Sequence, residues 1–236
     1  MLSRRTSMRL FRAVQQSRCG YATNAVAVGA TEDIIYPESQ TPNHHDLPSF
    51  LEYASHIDMD TKSTTYVGTH YEYTVQSALE RLGMVLKRIG GKSDYGIDIL
   101  GSWTLPSASQ PLKVLVQCKN IARKIDPAQA RELEGAFVGA PAGWREAGVL
   151  ALLVSQKSAT KGVREALHRS RWPMGYVLCT PEGRIMQMLW NSRAKKEGLE
   201  GIEVGLKYTG GDVNDKEVVL TWKGDAITDW NPLRLH

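Results

Sequence analysis

Strand-like and helix-like segments alternate between residues 113 and 180, and this alternation is the strongest constraint on the fold. An apolar strand pattern at residues 113–119 is followed by a helix pattern that begins at Asp126, with Pro127 at its first position. The segments GVLALLVS, SATKGVREALHRS and YVLCT continue as strand, helix and strand. Strands that alternate with helices pair in parallel within a sheet that is covered on both faces. The sequence therefore predicts an α/β core with a mixed central sheet flanked by helices.

After residue 180 the pattern changes to strands without intervening helices. RIMQMLW, GIEVGLKY and EVVLTWKG have strand character, and TGGDVND supplies a turn between the last two. We therefore expect a domain at residues 63–236, with a core at about 66–180 and a β-rich C-terminal extension at 181–236. The longest apolar run, GVLALLV, is much shorter than the roughly 20 residues of a membrane-spanning helix, so no membrane insertion is predicted.

The first 31 residues carry five arginines and no acidic residue. Of the 29 Lys and Arg residues, those five lie here, and the rest of the chain has 24 basic and 25 acidic side chains. On a helical wheel four of the arginines group on one side and three apolar residues on another: Arg4, Arg5, Arg9 and Arg12 against Leu10, Phe11 and Val14. An Arg-rich, acid-free, amphipathic N-terminus is typical of a mitochondrial transit peptide, predicted here for residues 1–21, although a basic tail is the alternative. The expected location is the mitochondrial matrix.

Residues 22–62 differ sharply from the segment before them. They contain seven acidic residues, three prolines and a single basic residue, Lys62. We interpret this segment as an acidic, largely disordered linker, in which PSFLEYASHI is a candidate short helix. The histidines at positions 44, 45 and 56 are expected to be solvated, since no third ligand stands near them in the sequence.

Four polar residues stand where an apolar residue is expected. Glu72 follows a predicted cap at Thr69 and lies on the same helical stripe as Val75 and Leu79. Asp98 lies between two isoleucines in a short strand pattern, and VLVQCKN places Gln117 and Lys119 on one face of a strand. Structural explanations exist for each: Glu72 would complement a helix dipole, Asp98 would bind turn amides, and Lys119 would reach solvent at a strand end.

Taken together, these four residues fit metal-assisted phosphodiester hydrolysis. A hard divalent cation such as Mg²⁺ or Mn²⁺ takes oxygen ligands, which Asp98, the Gln117 amide and the Cys118 backbone carbonyl would supply. Lys119 would then stand beside the cation and hold or deprotonate a water. Neither GxxxxGK[ST] nor GxGxxG occurs, which argues against a nucleotide-hydrolysing motor.

The segments GTHYE, SDYGIDIL and VLVQCKN resemble the Mrr-type branch of the PD-(D/E)xK nucleases. This resemblance implies a restriction-endonuclease-like core, with Asp98 and Gln117 as metal ligands, Lys119 as the catalytic lysine and Glu72 as the helix carboxylate. In this branch Gln commonly replaces the acid of the last motif, and Ile97 stands where the motif has Pro. The order of elements, with the N-terminal segment, also resembles a fungal mitochondrial family named for being required for respiratory growth.

Basic residues concentrate in the part of the chain that follows the Gln-x-Lys strand. Between residues 113 and 171 there are eleven Lys or Arg residues and five acidic ones. Arg123, Lys124, Lys157 and Lys161 are the expected nucleic-acid contacts, with a solvated surface as the alternative. DNA is the expected partner, RNA is the second choice, and a homodimer is one possible assembly.

The sequence thus favours a mitochondrial, metal-dependent DNA endonuclease-like protein. The competing hypothesis is a nucleic-acid-binding or assembly factor that retains the fold without turnover and supports respiratory function. The presence of Glu72, Asp98, Gln117 and Lys119 together favours the enzyme, whereas the neutral Gln117 favours the factor.

Deletion of residues 1–21 is expected to abolish mitochondrial delivery and to leave the folded domain intact, because the segment contributes no predicted core residue. Fractionation of cells that express the full and shortened chains checks this. Matrix localisation of the shortened chain would contradict the transit-peptide hypothesis.

Overall fold

Six strands form the central sheet, and their order in space follows their order in the chain. The computed structural model describes residues 36–37, 41–90, 96–208, 210 and 216–227, within a compact unit that spans Asp33–His236. The strands are β1 (Met84–Arg88), β2 (Ile99–Trp103), β3 (Leu112–Lys119), β4 (Val149–Ser155), β5 (Met174–Cys179) and β6 (Ile185–Trp190). β3, β4 and β5 run parallel, and the remaining neighbours are antiparallel.

Helices cover both faces of this mixed sheet, and a second sheet follows it. The helices are α1 (Leu47–His56), α2 (Thr64–Glu80), α3 (Pro127–Gly139), α4 (Lys161–Arg169) and α5 (Ser192–Ala194), which continues as a π turn at Lys195–Leu199. The second sheet contains β7 (Ile202–Tyr208), β8 (Lys216–Trp222) and β9 (Asp225–Ala226). The predicted fold class, an α/β core with a C-terminal β extension, is confirmed. Among the described helices, none combines the length and the apolar character needed to cross a membrane.

The central strands are buried on both faces, as the apolar sequences of β3 and β4 predict. Val114 and Val116 point into a core with α2, whereas Leu115 between them points into a second core with α3 and α4. All seven residues of β4 are buried. The C-terminal sheet adds Val218 and Leu220 to the α2 side of the sheet, so the extension completes the first core.

The helix that carries Glu72 begins earlier than the sequence predicts. Ser63 is the N-cap of α2, and its side chain accepts a hydrogen bond from the Tyr66 N–H. Thr69, the predicted cap, is a buried residue inside the helix. Glu72 therefore lies beyond the first turn, where the helix dipole does not explain its presence.

A five-residue strand that the sequence patterns did not indicate, β1, pairs with β2 along its full length. β2 itself begins at Ile99, two residues later than the pattern indicates, so Asp98 immediately precedes the strand. Gly101 makes the β1–β2 pairing possible, because a Cβ atom there would lie 2.1 Å from the Val85 carbonyl oxygen. The Gln-x-Lys strand and the Asp126-capped helix agree with their predictions.

The segment predicted as a linker contains a folded helix. α1 matches the candidate helix PSFLEYASHI, and Phe50 and Ala54 pack on Tyr73 of α2. His44 is buried beside them, with its Nδ1 2.7 Å from the Tyr73 hydroxyl, so the expectation of a solvated histidine is wrong. The rings of Phe50, Tyr53 and Tyr73 surround the imidazole, and no sequence pattern predicts its burial. Residues 1–21 and most of 22–40 lie outside the described residues, and the predicted domain boundaries stay predictions.

The stability of the domain is expected to fall as the pH drops below about 6.5, because of His44. Burial first, and then the charges of Arg88 and His45, lower the pKa of His44 below its usual 6.5. The unfolded chain therefore binds this proton more readily than the folded one, and acid favours unfolding. Chemical unfolding followed between about pH 7.5 and about pH 5.5 measures the effect.

The same measurement on His44→Asn should show a smaller loss of stability with acid. His168→Gln is the matched control, since His168 is exposed on α4. Equal pH dependence in His44→Asn and the unaltered chain would contradict the role of His44.

Candidate functional site

The last residues of β3 place two polar side chains against α3. Val114, Val116 and Cys118 face the α2 side of the sheet, so Gln117 and Lys119 face the α3 side. Gln117 is only 1% exposed. Its burial removes a full amide group from water, which is unfavourable unless each polar atom finds a partner.

Glu132 of α3 binds both polar side chains of the strand end. Its Oε1 accepts hydrogen bonds from Gln117 Nε2 at 3.1 Å and from Lys119 Nζ at 2.7 Å. A carboxylate only accepts hydrogen bonds, so it orients the amide with nitrogen toward α3 and oxygen away from it. Glu132 thus fixes which atom of Gln117 is presented to the rest of the site.

The amide oxygen of Gln117 is buried and has no hydrogen-bond donor among the described residues. A buried carbonyl oxygen without a donor costs about 1–3 kcal/mol. Gln76 Oε1 shares this condition, but its amide nitrogen bonds to Glu80 and the Leu86 carbonyl at another place on α2. Gln117 differs because Lys119 and the Asp98 carboxylate lie at the same strand end.

Asp98 lies at the point where β2 and β3 cease to pair. Its N–H donates to the Val116 carbonyl, and its own carbonyl accepts from the Ile89 and Gly90 N–H groups. Its carboxylate accepts a 2.6 Å hydrogen bond from the Cys118 N–H. The side chain therefore occupies the place of a backbone acceptor in the β2–β3 ladder.

Hydrogen bonds bring Asp98 beside the last residues of β3. Ile99 pairs with Val116, yet the Asp98 N–H also donates to the Val116 carbonyl, so the regular register ends here and the Asp98 carboxylate reaches the Cys118 N–H. The Val116 carbonyl faces β2, so the backbone groups of Cys118, two residues on, face the same side. The Cys118 carbonyl predicted as a metal ligand is thus directed toward Asp98.

Two glycines allow this close assembly. A Cβ atom on Gly96, which has φ +76°, would lie 2.7 Å from Gln117 Nε2 and 3.9 Å from Glu132 Oε1. A Cβ atom on Gly90 would lie 3.1 Å from Glu72 Oε2 and 3.5 Å from the Asp98 carbonyl oxygen. Position 96 favours glycine for two reasons: its backbone is in the left-handed region, and a side chain there would clash with Gln117.

Glu72 is near Asp98 and carries an ion pair. Arg88 Nε donates to Glu72 Oε2 at 2.5 Å, and the two side chains are 10% and 16% exposed. The Arg88 guanidinium also lies 5.3 Å from the centre of the Tyr73 ring. The helix carboxylate predicted from the sequence is thus at the site, with its charge balanced by an arginine that the sequence did not indicate.

The pKa of the Cys118 thiol is affected by burial and by the carboxylates of Asp98 and Glu72. Burial first, and then the charges of Asp98 and Glu72, raise the pKa of the Cys118 thiol well above its usual range. The thiol is therefore neutral, and thiolate nucleophilic chemistry is not expected of it. The Asp98 carboxylate that contributes to this shift also accepts the hydrogen bond from the Cys118 N–H.

The four predicted basic contacts lie at the same edge of the sheet. Arg123 and Lys124 are exposed in the β3–α3 loop, and Lys157 and Lys161 follow β4. Because β3 and β4 are parallel, both loops leave the edge at which Lys119 ends. A hydrogen bond from Thr160 Oγ1 to the Ile125 carbonyl joins the two loops.

An open cleft of about 340 Å³ adjoins this edge on the α2 side. It is lined by Tyr66, Val67, His70, Tyr71, Asn120, Gln156 and Pro181. Tyr66 and His70 stack at 5.9 Å, and Gln156 Nε2 donates to Asn120 Oδ1 at 2.8 Å. Aromatic rings and amide groups are suited to a planar base, and Asn120 directly follows Lys119.

The oxygen atoms at the strand end are suited to bind a hard cation that needs only one anionic ligand. Asp98 offers an anionic oxygen, and Gln117 Oε1 and the Cys118 carbonyl offer neutral ones. In the described part of the chain, no group of three or more His, Cys, Asp or Glu side chains is arranged to hold a metal. The unsatisfied oxygen of Gln117 is the observation that favours a cation here.

Glu132 and Arg88 are the two residues that sequence reasoning missed. Glu132 stands one position before the buried Leu133 and four before the buried Ala136. Glu132 could have been predicted from its place in the helix that directly follows the Gln-x-Lys strand, because such a helix packs on the face of that strand. Arg88 ends a strand that was not predicted.

The model of the family "Required for respiratory growth protein 7" matches residues 63–110 and 106–205. The chain belongs to this family. An uncharacterized mitochondrial protein of Schizosaccharomyces pombe is 34% identical over 155 residues, which cover 64% of this chain and 61% of that protein. The chain therefore spans about three fifths of that relative's length. The predicted resemblance to the respiratory-growth family is confirmed.

Relatives named for the family come from budding yeasts. The Saccharomyces cerevisiae protein, "Required for respiratory growth protein 7, mitochondrial", is 28% identical and covers 55% of this chain and 71% of its own length. The Vanderwaltozyma polyspora protein of that name is 31% identical, with coverages of 40% and 54%. These names confirm the predicted mitochondrial location.

One solved structure is similar at a low level. It is titled "MspJI Restriction Endonuclease in Complex with 27-mer Oligonucleotide", with 14% identity and a TM-score of 0.34. The match covers 55% of this chain and 28% of that one. A TM-score of this size carries no argument about fold or activity.

Gln117→Leu is expected to raise the free energy of unfolding by about 1–3 kcal/mol in metal-free buffer, because it removes a buried oxygen that lacks a donor. Chemical unfolding of the full chain measures this. Gln76→Leu is the matched control, since it removes the other such oxygen at a distance from Asp98.

Millimolar Mg²⁺ or Mn²⁺ should stabilise the unaltered chain and Gln76→Leu but not Gln117→Leu. Equal stabilisation of all three by the cation would show that Gln117 is not a ligand.

Proposed function

We propose that this protein is a metal-dependent phosphodiester hydrolase of the mitochondrial matrix that acts on DNA. The observation that supports this most is the buried Gln117 oxygen without a donor among the described residues, next to Cys118, whose N–H binds the Asp98 carboxylate, and two residues before Lys119. It is the pattern implied by the resemblance to the Mrr-type PD-(D/E)xK nucleases, with Gln in place of the last acid. Endonucleolytic cleavage is part of the proposal.

Mg²⁺ or Mn²⁺ would be held by the Asp98 carboxylate, Gln117 Oε1 and the Cys118 carbonyl. Bound there, such a cation offsets charge on phosphate oxygens and lowers the pKa of a water. The hydrogen bond from the Cys118 N–H holds the Asp98 carboxylate at the strand end. Glu132 keeps the Gln117 oxygen directed away from α3.

Lys119 is the residue proposed to act on the phosphate and the attacking water. Its ammonium carries three N–H donors, and Glu132 accepts one of them. The remaining donors are available to a phosphate oxygen and to a water, while the ion pair holds the ammonium in place. Lys119 is 23% exposed, so solvent and substrate reach it.

Glu72 is proposed to support Asp98 rather than to transfer a proton. Its oxygen contacts the Gly90 region, and the Gly90 N–H in turn binds the Asp98 carbonyl. Arg88 supplies the opposing charge.

The substrate is proposed to lie along the edge formed by the β3–α3 and β4–α4 loops. Arg123, Lys124 and Lys161 are exposed there for phosphate contacts. The cleft with Tyr66, His70 and Asn120 would receive a base next to the reacting phosphate. RNA would meet the same groups, so it is the second substrate to test.

A nucleic-acid-binding or assembly factor without turnover is the second candidate. It is favoured by the charge pairing at the site, where Glu72 and Lys119 each bind an opposite charge, and by the neutral amide of Gln117 at the place of an anionic ligand. Such a factor would use the basic edge and the cleft alone.

The decisive measurement is cleavage of labelled duplex, single-stranded and branched DNA, and of RNA, by the full chain with Mg²⁺ or Mn²⁺. Asp98→Asn should abolish cleavage and most metal binding, since Asn keeps an acceptor for the Cys118 N–H but loses the charge. Lys119→Ala should retain metal binding and slow cleavage by roughly 10² to 10⁴. Gln117→Glu should tighten metal binding by restoring an anionic ligand.

Nucleic-acid binding, measured as anisotropy of the same labelled strands, distinguishes the two candidates. Arg123→Ala with Lys124→Ala and Lys161→Ala should weaken binding and reduce its salt dependence under either one. If the unaltered chain binds DNA but neither binds metal nor cuts any substrate, hydrolysis is rejected and the factor remains.

A further inference from the structure

A second cleft, of about 290 Å³, lies at the opposite edge of the central sheet. Its lining includes Val149, the first residue of β4, and Pro173, which precedes β5. The candidate nuclease site lies at the other ends of these parallel strands. Seven strand residues span roughly 23 Å, so one cleft does not extend into the other.

Three arginines line this cleft, from three separate loops and turns. Arg145 precedes β4, Arg171 precedes β5, and Arg193 lies in α5. All three are exposed, and in the described chain no carboxylate lies within ion-pair distance of any of them. The Arg145 Nε donates to the Ala140 carbonyl, which steadies the guanidinium and leaves its terminal nitrogens available.

Two carboxylates also line the cleft, but one of them is already used. Glu197 accepts a hydrogen bond from the Gly148 N–H, which closes the loop before β4. Glu146 is exposed. The three arginines therefore outnumber the two acids of the lining, and none of the three forms an ion pair with a described carboxylate.

An aromatic side chain forms part of the wall between these arginines. Trp172 stacks on Phe137, with ring centres 4.8 Å apart and planes 15° apart. Trp172 is partly buried and belongs to the lining, so Phe137 fixes its orientation while the exposed part of the ring meets the cleft. A fixed aromatic surface beside guanidinium groups suits a planar ring that carries an anionic group.

We propose that this arginine cleft, formed by Arg145, Arg171, Arg193 and Trp172, binds a nucleotide, either free or as one unit of a nucleic-acid chain. The guanidinium groups bind the phosphate in the bidentate manner that arginine favours, and the base lies against Trp172. The volume is at the small end of the range for ligand sites and suits one nucleotide. This site does not depend on the proposed hydrolysis.

The test measures binding to the full chain of four probes: ADP, inorganic pyrophosphate, adenosine, and a labelled single-stranded oligonucleotide of about twelve nucleotides. Arg171→Ala with Arg193→Ala should weaken ADP binding by about tenfold or more, because each variant removes hydrogen bonds to a charged group. Lys62→Ala with Lys207→Ala is the matched control, since it removes two exposed charges outside both clefts and should leave binding unchanged.

The pattern across the probes identifies the source of the phosphate. Loss of ADP and pyrophosphate binding in the arginine variant, with oligonucleotide binding unchanged, supports a free nucleotide. Loss of oligonucleotide binding as well supports a nucleic-acid strand. If the unaltered chain binds none of the phosphate probes, if the arginine variant binds them as well as the control, or if adenosine binds as tightly as ADP, the proposal is overturned.

Discussion

The hydrogen bond from the Cys118 N–H to the Asp98 carboxylate is made where two antiparallel strands stop pairing. The Asp98 carbonyl accepts hydrogen bonds from the Ile89 and Gly90 N–H groups, directly after β1, and is therefore not the acceptor for the Cys118 N–H. The Asp98 carboxylate accepts that hydrogen bond instead. The side chain fills that place, and the backbone of β3 continues with its polar groups facing an opening. The Asp98 carboxylate thus replaces a backbone acceptor. This replacement determines the position of Asp98, the direction of the Cys118 carbonyl and the access to Gln117.

The charges around this opening are nearly balanced by local pairs. Arg88 binds Glu72, and Glu132 binds Lys119 while it holds the Gln117 amide. Such pairing stabilises a half-buried site without a ligand, yet the Gln117 amide oxygen at its centre has no hydrogen-bond donor among the described residues. Sites that retain an unfavourable buried group are commonly functional, because selection for stability alone would replace it.

Much of the core could be predicted from the sequence, because buried strands and capped helices leave clear periodic patterns. The apolar β4 and the Asp126 cap of α3 were found in this way. β1 was not, since its MVLKR sequence is short and mixes apolar with basic residues. At the site, the facing of Gln117 and Lys119 followed from strand alternation. Glu132 and Arg88 did not follow, since their partners come from tertiary packing that no local pattern encodes.

The hydrophobic cluster formed by Phe50, Ala54 and Tyr73 lies partly outside the segment that matches the family model. The family match begins at residue 63, after α1 has ended. A fragment cut at that boundary would lose Phe50 and uncover Tyr73, a ring that lies under the guanidinium of Arg88. Newly exposed aromatic surface promotes self-association. The shortest soluble form of this protein should therefore begin before His44. The folded unit is then longer than the segment that matches the family model.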